Sequence, residues 1–304
     1  MDKTIQKALR KAKWKQLLKI SLISMIAGFI LLISFYKVGN HFAAKSTARL
    51  HETLFLHNAV AEPNVQINSQ VTSNRSMFGG NIITNRSKNV NGYLVPWSTL
   101  TSSYGWIRIG IDHNELTPGF RLAGKNSYEY DKQTKQKVAT FYHPSIIEYY
   151  DGVQNELAEV AQLENHVAEV AVSFNGPLTT DEISELIPED SFNIDWLYMT
   201  STVGDESMGP LGMPVYGFSP GEFNENMYDD FIESLRQYDN NNSIEEIQEF
   251  IIENDGKNFR DVKVLGVMLT GRSESFKKLV DAPFIRGASV GVTAPIVPYI
   301  QPTK

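Results

Sequence analysis

From Val167 to Pro188 the chain reads VAEVAVSFNGPLTTDEISELIP, and this stretch decides the fold class. Val170, Val172 and Phe174 alternate as in a half-buried strand, and Gly176-Pro177 breaks the run. Thr179 stands three residues ahead of Glu182, a capping box, and Ile183, Leu186 and Ile187 follow as a helical stripe that Pro188 stops. Phe192, Ile194, Trp196 and Tyr198 then alternate as a second strand. A weaker copy follows. Val262, Val264 and Met268 lead to Gly271, Ser273 stands as cap, Phe276, Leu279 and Val280 form the stripe, and a strand runs through Ala288, Val290 and Val292 after Pro283. Gly176 to Pro188 and Gly271 to Pro283 are each 12 residues apart. Two such units predict an α+β sheet with helices on one face, in a ferredoxin-like arrangement.

Two helices are expected between the copies. Ser219-Pro220-Gly221-Glu222 offers a cap, a proline at the first helical position and an acid at the third, followed by Phe223, Met227, Phe231 and Leu235. Ser243 and Glu246 repeat the box before Ile247, Phe250 and Ile251, and Gly256 ends that helix. These stripes are read as core.

Towards the N-terminus the character changes. Ile20 to Tyr36 reads ISLISMIAGFILLISFY, 17 residues without a charge, extended by Leu17 and Leu18 if Lys19 snorkels. Twenty residues at about 1.5 Å each span roughly 30 Å, the thickness of a bilayer's hydrocarbon core. The run is too long for the apolar region of a cleaved leader. The chain's formal charge of −7 divides here: residues 1–37 hold eight basic side chains and one acid, a net +7, which leaves −14 for the rest. Basic residues stay on the cytoplasmic side, so the N-terminus is expected inside and residues 38–304 outside. Residues 38–62 have helix-forming composition and extend the span as a stalk until Pro63. Eight asparagines between Asn58 and Asn91, interleaved with Val65-Gln66-Ile67 and Ile82-Ile83-Thr84, predict turns and strands, and Trp106 to Ile111 alternates as another strand. The expected organisation is a basic cytoplasmic segment (1–16), a transmembrane helix (17–37), a helical stalk (38–62), a β-rich outer region (63–150) and an α+β outer domain (151–304).

The candidate chemistry is thin. Gly217-Phe218-Ser219-Pro220-Gly221 matches a hydrolase elbow, but Pro220 lacks the N–H that the oxyanion hole needs, and no histidine follows His166. The six histidines show no ligand spacing, the absence of cysteine removes thiolate metal sites, and Asp239 to Ser243 lacks the glycine and glutamate of a calcium loop. No phosphate loop appears, and the acidic body disfavours nucleic acid. The reading assigns no catalytic residue, no metal ligand and no cofactor, and expects no enzyme.

The basic head, the single span, VAEVAVSFNGPLTTDEISELIP, NIDWLYM (193–199) and VKVLGVMLTGRSESFKKLVDAPFIRGASVGV (262–292) together resemble the sigma factor regulator family, which includes membrane-bound anti-sigma factors of Gram-positive bacteria. Ser173-Phe174 with Pro177, Asp195-Trp196, and Gly266 with Thr270-Gly271 carry the likeness. The resemblance implies a one-pass membrane protein that restrains an extracytoplasmic-function sigma factor and senses envelope conditions with its outer domain. It supplies no catalytic residues. Only about 16–19 residues precede the helix, whereas a stable interface buries about 800 Å² per side. Sigma-factor binding by this head therefore calls for a second membrane subunit or a start codon further upstream. The alternative from another class is an anchored envelope-binding or assembly module with no transcriptional role.

Overall fold

A computed structural model describes residues 3–106, 109–113, 119–121, 127–202, 214–221 and 225–304. One helix, α1, runs without a break from Lys3 to Ala61, 59 residues and roughly 88 Å at about 1.5 Å per residue. Its apolar stretch has a mean hydropathy of 2.3 and none of it is buried in the protein, so it is long and apolar enough to cross a membrane. The residues of the expected stalk are the C-terminal part of the same helix. Its end matches the proline, since Pro63 has no N–H to continue the ladder.

At Asn64, which takes a left-handed φ of 55°, the chain reverses and β1 (Val65–Ser76) runs back along the helix. Strands β2 (Gly79–Val90), β3 (Tyr93–Gly105) and β4 (Ile109–His113) complete an antiparallel meander in the order β1-β2-β3-β4. Asn91, at φ 53°, makes the β2–β3 turn, so asparagine stands at two of this region's three reversals, and Met77-Phe78 makes the third between β1 and β2. The stalk lies on the meander through Ala43, Leu50 and Leu54 against Ile82, Leu100 and Tyr104. The expected strand from Trp106 to Ile111 begins later, because Trp106 sits in a bend after β3; residues 107–108 lie outside the described set. A small sheet follows, β5 (Gly119–Arg121), β6 (Tyr128–Tyr130) and β7 (Lys137–Val138), then a short helix α2 (Leu157–Val160).

The remainder is an α+β domain. Its elements are β8 (His166–Leu178), α3 (Thr180–Leu186), β9 (Phe192–Ser201), β10 (Val215–Phe218), α4 (Glu225–Asn242), α5 (Glu245–Asn254), β11 (Val264–Arg272), a 3-10 helix (Ser273–Leu279) and β12 (Ile285–Pro295). The sheet order is β10-β9-β11-β8-β12, every neighbour antiparallel. Strand β11 lies between the two strands of the first strand–helix–strand unit, and β8 lies between the two strands of the second. The units interleave.

The capping box of α3 forms as expected: the Glu182 N–H donates to Thr179 Oγ1 and the Thr179 N–H to Glu182 Oε2. The second unit differs. Its helix is 3-10, and Ser273 lies inside it as a buried residue whose hydroxyl lies within hydrogen-bonding distance of the Leu163 and His166 carbonyls. Gly176-Pro177 does not end β8; Pro177 cannot donate, so pairing with β11 lapses between Ser173 and Leu178 and then resumes. Ser243 is likewise no cap. It turns between α4 and α5 at φ 55°, and Asp239, still in α4, accepts from the Ile244 N–H instead. Glu222 and Phe223 of the other expected box lie outside the described residues, and the described helix starts at Glu225.

Helices α3, α4 and α5 cover one face of this sheet, where Val172, Phe174, Leu197 and Leu269 meet Ile183, Phe231, Leu235 and Ile247. Val60, in the last turn of α1, is fully buried in that same core. The opposite face is covered by Phe141 against Trp196, Tyr198 and Met268, and by Val90 and Tyr93 of the meander against Val167 and Val292.

Candidate functional site

The end of α1, the meander and the five-stranded sheet meet in a junction rich in buried charge. Asn64 follows the helix directly, and its amide donates to the Asn89 carbonyl (3.0 Å) and to Glu169 Oε2 (2.7 Å). Glu169 projects from the first half of β8 with no solvent exposure, and its other oxygen accepts from Lys88 Nζ at 2.8 Å. The Lys88 ammonium also lies 4.7 Å from the centre of the Trp97 ring, within cation–π range. Two residues before Asn64, just past the helix end, Glu62 pairs with Arg86, whose guanidinium donates to the Ser98 carbonyl (2.8 Å) and hydroxyl (2.9 Å). Two buried ion pairs thus tie the end of the long helix to β2, and β2 to β8. Such pairs repay the cost of removing two charges from water only when the remaining polar atoms are also satisfied, and here they are.

Beside this junction lies a cavity of about 330 Å³, in the range of small-molecule sites. The last turns of α1 supply His57 and Ala61, and Glu62 follows directly; the meander supplies Lys88 and Trp97. Glu129, Asp131 and Phe141 come from the segment between the two large sheets, and Tyr198, Tyr216, Met268 and Tyr238 come from β9, β10, β11 and α4. Burial lowers the basicity of His57, Arg86 adding to the effect and Glu62 opposing it. Its Nδ1 lies 3.0 Å from the Tyr238 hydroxyl. Burial also pushes the Tyr216 phenol up to about 12 and that of Tyr198 well above its ordinary value. The phenols are therefore neutral hydrogen-bonding groups on aromatic walls. A second, more polar cleft of about 530 Å³ near Lys137 and Glu156 lies away from the helix.

Asp195, on β9, adds a titratable group to the sheet face that carries Glu169. It accepts from the Thr270 hydroxyl at 2.6 Å. Burial pushes its carboxyl up to about 7, the Glu169 charge raising it further while Thr270 and Lys304 pull the other way.

The arrangement, a cavity with aromatic walls and buried polar groups, suits the binding of a ligand. A molecule filling the cavity touches the root of α1 and both sheets at once, so occupancy bears on the helix. Ser219 lies exposed at the end of β10 and takes no part. Of the histidines, His57 enters the site, while His51 bonds Gln70 and His166 the Glu164 carbonyl. Among the described residues no group of three or more His, Asp or Glu converges as metal ligands do. The sequence reading places Tyr198 and Met268 on strands and gives Asp195 a part in the family likeness, but it assigns none of these residues to a site; Glu169 interrupts the apolar run VAEVAV and Asp195 interrupts NIDWLYM, and an acid within a buried strand is the signal that marks them.

Residues 6–95 match the family model described as sigma factor regulator N-terminal, and residues 160–292 match the one described as sigma factor regulator C-terminal. His57, Glu62 and Lys88 fall in the first match and Tyr198, Tyr216 and Tyr238 in the second, so the cavity is built across both. No curated protein and no solved structure matches the chain.

Proposed function

The chain belongs to the sigma factor regulator family, and from that premise we propose that it is a single-pass membrane regulator of an extracytoplasmic-function sigma factor. The basic head faces the cytoplasm, residues 38–304 lie outside, and the outer domain senses an envelope ligand or partner. The protein acts without catalysis. Its partners in this reading are the lipid bilayer, the sigma factor and a second membrane subunit. The interleaved order of the strand–helix–strand units supports a ferredoxin-like reading of the outer domain.

One observation carries this reading: a single unbroken helix joins the basic head to the cavity wall, with Val60 locked into the outer core at its far end. Within a continuous hydrogen-bonded helix, a shift or rotation at His57 to Glu62 is felt along the rod, because neighbouring turns are rigidly linked. The cavity is then the input and the head the output. Affinity purification of the full chain from its native membrane is expected to recover a sigma factor together with any second membrane subunit. Recovery of neither, and no change in any sigma regulon on gene deletion, would leave the anchored assembly module as the better reading.

A further inference from the structure

We infer that the tip of the β1–β2 hairpin rests in the outer lipid leaflet beside the point where α1 leaves the membrane, so that the outer domain is docked on the bilayer. The inference rests on the proposed reading of residues 17–37 as a span. From Asn64 the strand β1 retraces the stalk: twelve residues at about 3.3 Å cover roughly 40 Å, and the helix from Tyr36 to Ala61 rises roughly 37 Å. The hairpin tip therefore returns to the level of Tyr36.

The side chains agree with that height. The Phe78 ring, at the tip, lies 6.2 Å from Phe35 and 5.3 Å from Trp106, and Trp106 lies 5.6 Å from Phe35 and 6.3 Å from Phe42. Trp106 is fastened by its indole N–H to the Met77 carbonyl. Gly39 lets the tip come this close, since a side chain there would meet Trp106 at 2.9 Å and Met77 O at 3.0 Å. Phe35 to Phe42 rises about 10 Å, comparable to the interfacial zone outside the hydrocarbon. Yet the cluster is no sealed core: Phe78 is 56% exposed, Phe35 46% and Phe42 45%. Lys37 and Arg75, both exposed, border it, and neither forms an ion pair among the described residues. Exposed aromatic rings with free cations, continuous with the lipid-facing surface of the span, match an interfacial belt in which rings sit at headgroup depth and cations meet phosphate oxygens. The occupant of this patch is lipid.

The chain has no cysteine, so single labels can be introduced cleanly. Nitroxide labels at Phe78→Cys, Leu94→Cys and Ile26→Cys in the full chain, reconstituted in phosphatidylcholine–phosphatidylglycerol vesicles, are compared for collision with oxygen and with a water-soluble nickel chelate. Leu94 is exposed at the other end of the meander and Ile26 lies mid-span. The label at 78 is expected to lose chelate collisions and gain oxygen collisions relative to 94, at a depth between 94 and 26. Chelate access equal to that at 94 overturns the inference, as does shielding from both reagents, which marks a covering protein. A water-accessible label at 26 removes the span and this inference with it.

Discussion

The carboxylate of Glu169 lies in the first half of strand β8 without solvent exposure, and the ammonium of Lys88, reaching across from the meander, stands 2.8 Å from it. This pair joins the meander to the five-stranded sheet close to the point where the long helix ends. Replacing Lys88 by Met leaves a buried carboxylate with only Asn64 beside it, and removing one member of a buried pair costs about 3–5 kcal/mol. The double variant K88M/E169Q removes the charge as well and keeps an acceptor for Asn64, so it is expected to recover most of the loss. Urea unfolding of the full chain in micelles measures both. A single-variant cost below about 1 kcal/mol, in the range of an exposed pair, would show that the pair does not hold the junction.

Two groups of the same junction give opposite responses to pH. Asp195 titrates at about 7 in the folded chain and near 3.9 unfolded, so the folded state holds a proton that the unfolded state releases. Its contribution is complete below about pH 4 and is lost as pH rises through about 7. His57 is held below its ordinary value, so its contribution is complete above about pH 6.5 and falls as the pH drops. Asp195→Asn keeps the acceptor for Thr270 and is expected to stabilise the protein at pH 8, on the order of 1–2 kcal/mol after screening at a half-buried site. His57→Gln should flatten the acidic limb. Thermal melts from pH 5 to 8 compare the curves, and a D195N curve parallel to the parent's contradicts the assignment.

What the sequence discloses about this molecule is what short stretches encode. The alternation in Val170 to Phe174, the Thr179–Glu182 box and the apolar run ending at Tyr36 are local, and each forms the expected element. The box at Ser243 and the cap at Ser273 fail because a nearby competitor wins: Asp239 reaches the first helix start, and the Leu163 and His166 carbonyls engage the second serine. The cavity was illegible for a stronger reason. Its walls come from positions as distant as His57 and Met268, and Lys88 meets an acid 81 residues away, so no window of sequence holds the pattern. Glu169 and Asp195 announce themselves, each as an acid within an otherwise apolar strand.

If the cavity is the input, filling it should remove the response while leaving the protein intact. Val215 lines the cavity on β10, an edge strand, and is only half-buried, so its neighbours can accommodate a larger group. Val215→Trp is expected to abolish induction of the sigma regulon by envelope stress, with protein level and melting temperature close to the parent's. A regulon reporter measures this. Normal induction with the indole in place would move the sensing site elsewhere, the polar cleft at Lys137 and Glu156 being the next to test.

The coupling rod can be cut without touching either end. Ala48 is exposed on α1, between the span and the cavity, and proline there removes one helix hydrogen bond and clashes with the preceding turn, at about 3 kcal/mol. Leu50 and Leu54 continue to hold the upper stalk on Ile82 and Leu100, so the outer domain keeps its packing and the cavity its wall. The span below is also unchanged, and the protein should reach the membrane normally. What the break removes is transmission: a movement at Glu62 is absorbed at the kink instead of reaching the head. Ala48→Pro is therefore expected to lock the regulon reporter at one level with or without stress, whereas Ala48→Ser, which keeps the helix, responds as the parent does. A stress response preserved in the proline variant would mean that the signal bypasses the helix, through a partner that contacts the outer domain directly.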